Sequence, residues 1–303
     1  MTNKTLTVFT PAYNRAHTIG RTYESLCRQT SKDFCWLVID DGSMDNTGEL
    51  VRAWKEEGKI DITYIHQQNQ GMHGAHNTAY RNINTELCTC IDSDDFMPEN
   101  AVNTIIDFWN KNHSDKYAGI IGLDVDMSEQ VIGDKFIDSI QSTTLSGYYE
   151  NGGKGDKKLV YRTDIIKNTN EYPLFEGERY VGLSCRCLEI DQSYEFLVIN
   201  EPLVIVDYQE DGSSMSMYKQ YWNNPKGFAY FRKHKMMYSK SLKVWFEESI
   251  HYVSSSIRAK NKAFLKESPK PIVTFLMIPF GVALYFYIKS KVKRGDVYKV
   301  KKS

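Results

Sequence analysis

The chain has 303 residues, 41% hydrophobic and 25% charged, enough to bury a substantial core as one large domain with an appendage. Its 38 Lys and Arg balance 38 Asp and Glu, so no basic field supports a nucleic-acid partner, and its six cysteines, without a C-x-x-C pair or zinc-finger histidine spacing, read as reduced thiols. The opening residues MTNKTLTVFT lack the basic region and long apolar stretch of a secretory signal, so the part of the chain that follows them is expected in the cytosol.

Leu6 to Thr10 is a short run rich in β-branched and aromatic residues, followed by a stretch in which Tyr23, Leu26 and Cys27 share a helical face. Phe34 to Ile39 is a second run, Leu50, Val51 and Trp54 mark a second helical face, and Ile62 to Ile65, Leu87 to Ile91 and Gly119 to Leu123 continue the alternation. Strands alternating with helices predict βαβ units. Continuous apolar runs predict strands buried on both faces, hence a mainly parallel sheet with its ligand crevice at the carboxyl ends of the strands. Beyond about residue 125 the rhythm breaks. Gly147 to Gly155 (GYYENGGKG) reads as a mobile loop, Leu197 to Val206 as a further strand, Tyr208-Gln-Glu-Asp-Gly-Ser-Ser as a loop at the edge of a site, and the sequence to about Asn261 as helical.

Ile272 to Ile288 carries no charge over 17 residues, is interrupted by Pro279 and Gly281, and is bracketed by Lys266, Lys270, Lys289 and Lys291. A perpendicular span takes about 20 residues. The segment suits peripheral membrane contact through residues 272–294, with basic flanks on anionic headgroups, and a buried C-terminal helix is the alternative. From Lys289 to the end, seven Lys or Arg accompany a single acid, Asp296.

Three loops follow predicted strands and should converge on one cleft: Pro11-Ala12-Tyr13-Asn14, Asp40-Asp41-Gly42-Ser43 and Asp92-Ser93-Asp94-Asp95. Three carboxylates so close repel one another unless a cation neutralises them, and a hard divalent ion, Mn²⁺ or Mg²⁺, shares such ligands with phosphate oxygens. The other reading is an acidic turn that caps the next helix, with Pro98 in its first turn. An acidic residue after the second strand would suit a dinucleotide site, but the first turn lacks the glycines such a site requires. Tyr13 instead offers a flat ring for a nucleobase. Asn69-Gln-Gly71-Met-His73-Gly74-Ala-His76-Asn77 places glycines where a loop enters a helix, and its free N–H groups can meet a diphosphate.

The order Pro-Ala-Tyr-Asn, Asp-Asp-Gly-Ser, Asn-x-Gly-x-x-Gly-x-x-Asn and Asp-x-Asp-Asp resembles family 2 glycosyltransferases of bacterial surface polysaccharide biosynthesis. The resemblance implies an α/β GT-A fold, with a Rossmann-like, mainly parallel central sheet flanked by helices and a helical C-terminal extension. Residues 1–125 would form its nucleotide-sugar half, 126–220 its acceptor half and 221–303 the extension. Pro11, Tyr13 and Asp41 would hold the base of a nucleotide-diphosphate sugar, usually UDP-linked. Gly74 and Asn77 would lie near the ribose and diphosphate, Asp92 and Ser93 near the ribose or sugar, and Asp94 on the metal. The family often has arginine where this chain has His76.

Inverting transfer needs a carboxylate base for the acceptor hydroxyl. The segment Tyr172 to Val181 resembles the one leading to the family's base, but the usual glutamate aligns with Leu183. Glu178, Glu176 and Asp191 are the remaining candidates, Glu178 first. Asp211 is an alternative ligand for acceptor or diphosphate, and Lys157 and Arg162 read as solvated charges. The expected partners are a nucleotide-sugar donor and a glycan or lipid-linked glycan acceptor at the inner face of the cell membrane, with a homo-oligomer left open. Two other functions fit parts of the pattern. A nucleotidyltransferase would release pyrophosphate, and a non-catalytic sugar-nucleotide-binding scaffold would accommodate Leu183.

Overall fold

The computed structural model describes residues 4–207 and 217–295. Contacts divide the chain into two units, one of residues 1–170 and 190–208, the other of 171–189 and 209–303.

The first unit opens as β1 (Leu6–Ala12), α1 (Ile19–Cys27), β2 (Phe34–Asp40), α2 (Thr47–Glu57), β3 (Ile62–His66), α3 (Met72–Asn82), β4 (Leu87–Cys90), α4 (Ala101–Asn112) and β5 (Tyr117–Asp126). It continues with β6 (Ser142–Thr143), α5 (Leu145–Glu150), β7 (Lys157–Arg162) and α6 (Thr163–Asn168), and after α7 (Ser184–Ile190) it closes with β8 (Glu195–Val206). The sheet runs β3-β2-β1-β4-β7-β5-β8-β6. Every residue of β1 is buried, because β2 and β4 pair with it in parallel on either side. That two-sided burial is why the early strands are continuous apolar runs. The helical faces expected at Tyr23 and Trp54 meet over Trp36. Tyr23 stacks on Trp54 with ring centroids 4.4 Å apart and on Trp36 at 6.0 Å.

β7 is the exception among the central strands. It lies between β4 and β5 and is antiparallel to both. Its reversal brings its first residues, Lys157 and Lys158, to the edge where β4 and β5 end. The β5–β7 contact requires Gly119, which has φ 146° and whose Cβ, if present, would lie 1.9 Å from the Val160 carbonyl oxygen.

The glycine-rich stretch at 147–155 corrects one expectation, since its first part is the helix α5. Thr144 Oγ1 caps that helix by accepting from the Gly147 N–H, and the Tyr148 hydroxyl donates to the Lys154 carbonyl at 2.9 Å, tying down the rest.

The second unit is helical: α7 up to Glu189, then α8 (Met217–Asn223), α9 (Pro225–Tyr238), α10 (Leu242–Arg258), α11 (Phe264–Glu267), α12 (Pro271–Leu276) and α13 (Ile278–Arg294). Ala229 and Met236 of α9 and Tyr252 of α10 form its core with Phe264. Glu248, 4% exposed, is paired with Arg232 at 2.7 Å and with Lys235. The uncharged segment 272–288 is divided between α12 and α13, and no helix among the described residues is long and apolar enough to cross a membrane. Asp211, Asp296 and the last basic residues, 299, 301 and 302, lie outside the described residues.

Candidate active site

The carboxyl edge of the sheet gathers the loops that follow β1, β2 and β4. Pro11 and Ala12 are buried within β1, and Tyr13 emerges 44% exposed. Asn14, at φ 54°, donates its N–H to Ser43 Oγ at 2.9 Å and accepts the Met44 N–H on its side chain at 2.8 Å, so the loops after β1 and β2 brace each other. Asp40 accepts the Ser43 N–H at 2.8 Å and the Tyr64 hydroxyl at 2.5 Å.

Asp41 is 4% exposed. One of its oxygens accepts Gln67 Nε2 at 2.7 Å and the Gln70 N–H at 2.9 Å, and the other accepts the Gly71 N–H at 2.7 Å. Its carboxylate therefore shapes the loop into α3, where Gly71 adopts φ 82°, a conformation that side chains disfavour. The N-terminus of α3, with its positive dipole end, then lies at this edge. His73, Gly74, His76 and Asn77 are buried on α3. The His76 ring meets Phe9 edge-on at 5.0 Å and lies 3.6 Å from Cys90 Sγ, so it packs between helix and sheet.

Asp92, Asp94 and Asp95 bring carboxylate oxygens within 4.8 Å of one another. The Asp95 N–H closes the turn on the Asp92 carbonyl at 3.0 Å, and Ser93 is buried inside it. Burial, with Asp92 adding to it and Lys158 opposing, pushes the Asp95 carboxyl up to about 7. Burial and Asp92 also raise Asp94, against the pull of Arg15. Among the described residues no lysine or arginine forms an ion pair with these three. Three carboxylates whose oxygens converge without a neutralising side chain are matched to a hard divalent cation, so the residues present fit Mn²⁺ or Mg²⁺. The capping alternative does not hold. α4 begins at Ala101, its N-cap residue is Asn100, and the Val102 N–H is taken by Gln29 Oε1 at 3.0 Å.

Three further charged residues join this edge. Lys158 Nζ donates to the Cys90 carbonyl at 3.2 Å. Burial works against its charge, but Asp124, Asp92, Cys90 and Asp95 together raise its proton affinity. Asp124 is 4% exposed, and its Oδ1 has no hydrogen-bond partner among the described residues. Asp207, just past β8, gives its N–H to Asp95 at 3.1 Å and pairs with Arg21 at 2.5 Å. Sequence reasoning missed Lys158 and Asp207 because β7 and β8 reach this edge through pairings that spacing does not disclose, and missed Asp124 because the expected strand stopped at Leu123.

Other sequence candidates lie elsewhere. Asp191 stands four residues ahead of β8, at the amino edge of the sheet, and accepts the Leu145 and Ser146 N–H groups at 3.2 and 2.8 Å at the start of α5. Glu178, in the second unit, is 7% exposed, and its two oxygens accept the Lys226 and Gly227 N–H groups at 3.0 and 2.9 Å, capping α9. Glu176 is exposed beside Gly177, and Leu183 is half-buried with its carbonyl accepting from the Tyr172 hydroxyl. Lys157, read as solvated, is instead buried and donates to the carbonyls of Ile132, Lys154 and Asp156. Arg162 pairs with Asp164 at 2.7 Å. A concavity of the first unit lies at the opposite, amino edge, lined in part by Glu86, His113, Arg162 and Lys167, and contains none of the aspartate cluster.

The family model described as "Glycosyl transferase family 2" matches residues 7–166. Glycosyltransferase GlyA of Streptococcus pneumoniae is 34% identical over 100 residues, 33% of this chain and 14% of GlyA. The chain thus spans under a fifth of the length of several curated relatives it matches. An Escherichia coli protein named UDP-Glc:alpha-D-GlcNAc-diphosphoundecaprenol beta-1,3-glucosyltransferase WfgD is 26% identical over 214 residues, 71% of this chain and 80% of WfgD. Among solved structures, S. aureus TarS 1–349 in complex with UDP-GlcNAc shares the GT-A fold with a TM-score of 0.59 at 16% identity, over 98% of this chain and 95% of that one. The mannosyltransferase PcManGT from Pyrobaculum calidifontis, in complex with GDP-Man and Mn²⁺, does so with a TM-score of 0.55 at 15% identity, over 95% and 83%.

Proposed function

The chain belongs to glycosyl transferase family 2, and on that premise we propose that it moves a sugar from a nucleoside-diphosphate sugar, UDP-linked, to a growing polysaccharide or lipid-linked oligosaccharide. The observation that carries this reading is the meeting of Asp92, Asp94 and Asp95 with the exposed Tyr13 ring and the N-terminus of α3 along one sheet edge. Tyr13 would stack on the base, with Pro11 stiffening the loop from inside the strand. Asp41 would act through the Gln67–Gly71 loop, whose backbone it holds. Gly74 and Asn77 would flank the ribose and diphosphate, and Asp92 and Ser93 the ribose or sugar.

Asp94, supported by Asp92, would hold Mn²⁺ or Mg²⁺. A bound divalent cation would supply charge neutralisation to the departing diphosphate. WfgD's name describes a β linkage made from UDP-Glc, and making a β linkage from an α-linked donor inverts the anomeric carbon. That supports an inverting transfer here, to a lipid-linked acceptor. The acceptor hydroxyl must lose its proton as it attacks. Glu178 could take it only by giving up the two N–H bonds that cap α9.

Asp94→Ala tests the reading. It should abolish sugar transfer and Mn²⁺-dependent binding of UDP while the circular dichroism spectrum and melting temperature stay near those of the wild type. Metal-dependent UDP binding retained in this variant would refute the assignment.

A further inference from the structure

The two helices that close the second unit present their apolar side outward. Along α12 and the part of α13 up to Ile288 the exposed positions are 271, 272, 275, 276, 279, 280, 283, 286 and 287, a helical stripe of Pro, Ile, Phe, Leu, Pro, Phe, Ala, Phe and Tyr. Ile272 is 77% exposed, Phe275 61%, Phe280 59% and Phe286 58%. The buried positions are Thr274, Gly281 and Ile288, seven residues apart on the opposite side. This orientation is fixed by contacts within the unit. Thr274 Oγ1 is bonded to the hydroxyls of Ser268 at 2.6 Å and Ser249 at 3.3 Å. Gly281 lies so close to α10 that an added Cβ would be 2.5 Å from Val253 Cβ and 2.9 Å from the Ile250 carbonyl. Turning the apolar stripe inward would break the hydroxyl cluster and the close approach together.

The charge around the stripe selects its partner. Between Ser268 and Gly295 there is no acidic residue, while Lys270 lies at one end and Lys289, Lys291, Lys293 and Arg294 at the other. The stripe itself carries no charge. An apolar, aromatic-rich face bordered by cations matches an acyl boundary topped by anionic headgroups. A protein-binding patch would instead offer polar groups around its rim for specific pairing. α13 becomes charged at Lys289, so its apolar part, Ile278 to Ile288, is about 16 Å long at about 1.5 Å per residue, half of a bilayer's hydrocarbon core of about 30 Å. The stripe is therefore suited to lie on a bilayer and too short to cross one.

We propose that the outward face of α12 and α13 is a docking surface for an anionic lipid bilayer, on which the helices lie in the plane of the headgroups with Ile272, Phe275, Phe280 and Phe286 inserted among the acyl chains. The inference depends on this face alone. It can fail while nucleotide binding holds, and nucleotide binding can fail while it holds.

Flotation of the full chain with vesicles tests it, using phosphatidylcholine with and without phosphatidylglycerol. The chain should float with the mixed vesicles and bind them at least about tenfold more tightly than the neutral ones, the preference shrinking in high salt. The variant Phe275→Ser/Phe280→Ser/Phe286→Ser should lose about tenfold or more in binding to the mixed vesicles. Lys289→Gln/Lys291→Gln/Lys293→Gln should lose the preference for phosphatidylglycerol. An unchanged circular dichroism spectrum and melting temperature serve as the measure that each variant is folded. Wild-type protein left at the bottom of the gradient with mixed vesicles would overturn the proposal. So would a serine variant that floats like the wild type. An oligomer in solution that the serine substitutions dissolve, without flotation of the wild type, would overturn it in favour of a second copy of the chain.

Discussion

Asp95 shows how a single carboxyl can make the site wait for a cation. Its 7% exposure and the neighbouring Asp92 charge hold its pKa at about 7, against about 4 in an unfolded chain. A carboxyl that binds its proton more tightly when folded favours folding while protonated. That contribution is complete below about pH 4 and is lost as pH rises through about 7. In metal-free protein the stability of the wild type relative to Asp95→Asn should therefore decline from about pH 4 to about pH 7. Mn²⁺ should narrow the gap at the alkaline end, because the cation takes the place of the proton. Denaturant titrations at three pH values read both effects, and a difference that does not vary with pH would show that the carboxyl is not held protonated. Lys158 moderates the same balance by opposing the rise of Asp95 and of Asp124.

At the level of elements, Glu178 belongs to α9 before it belongs to any reaction. Both of its oxygens cover first-turn N–H groups that would otherwise be unpaired. Glu178→Ala should cost about 1–2 kcal/mol in thermal denaturation. Glu178→Gln should keep most of that stability and leave transfer in place. Loss of transfer in the glutamine variant at an unchanged melting temperature would make Glu178 the base after all. The sequence could not show this role, because the bond spans 48 residues and depends on where α9 begins. What it did show follows from two-sided burial. β1, β2 and β4 were legible as apolar runs, and the loops at their ends as one edge, since parallel strands put successive carboxyl ends together. The reversed β7 broke that logic and concealed Lys158, and the helix α5 was concealed by Gly147 and the glycines that follow it at 152, 153 and 155. The stretch 272–288 was legible as uncharged, but its division at Met277 and its outward orientation depend on Thr274 and Gly281 meeting α10.

Across the whole molecule, the candidate donor residues come from segments far apart in sequence, from Pro11 to Asp207, yet all lie in the first unit. The loops that carry them are already cross-braced by Asn14 to Ser43, Asp41 to Gly71 and Asp95 to Asp207. A ligand that binds only the folded arrangement stabilises it by about 2.7 kcal/mol when present at about 100 times its dissociation constant. UDP with Mn²⁺ should accordingly slow amide exchange at the carboxyl edge, in the loops after β1, β2 and β4 and at the start of α3. Exchange in α9 and α10, which carry none of these residues, should not change. Asp94→Ala should remove the protection from all of the loops at once, since one cation site would serve them together. Protection centred instead on Glu86, His113 and Arg162 would move nucleotide binding to the concavity at the amino edge, and with it the whole assignment of the aspartate cluster.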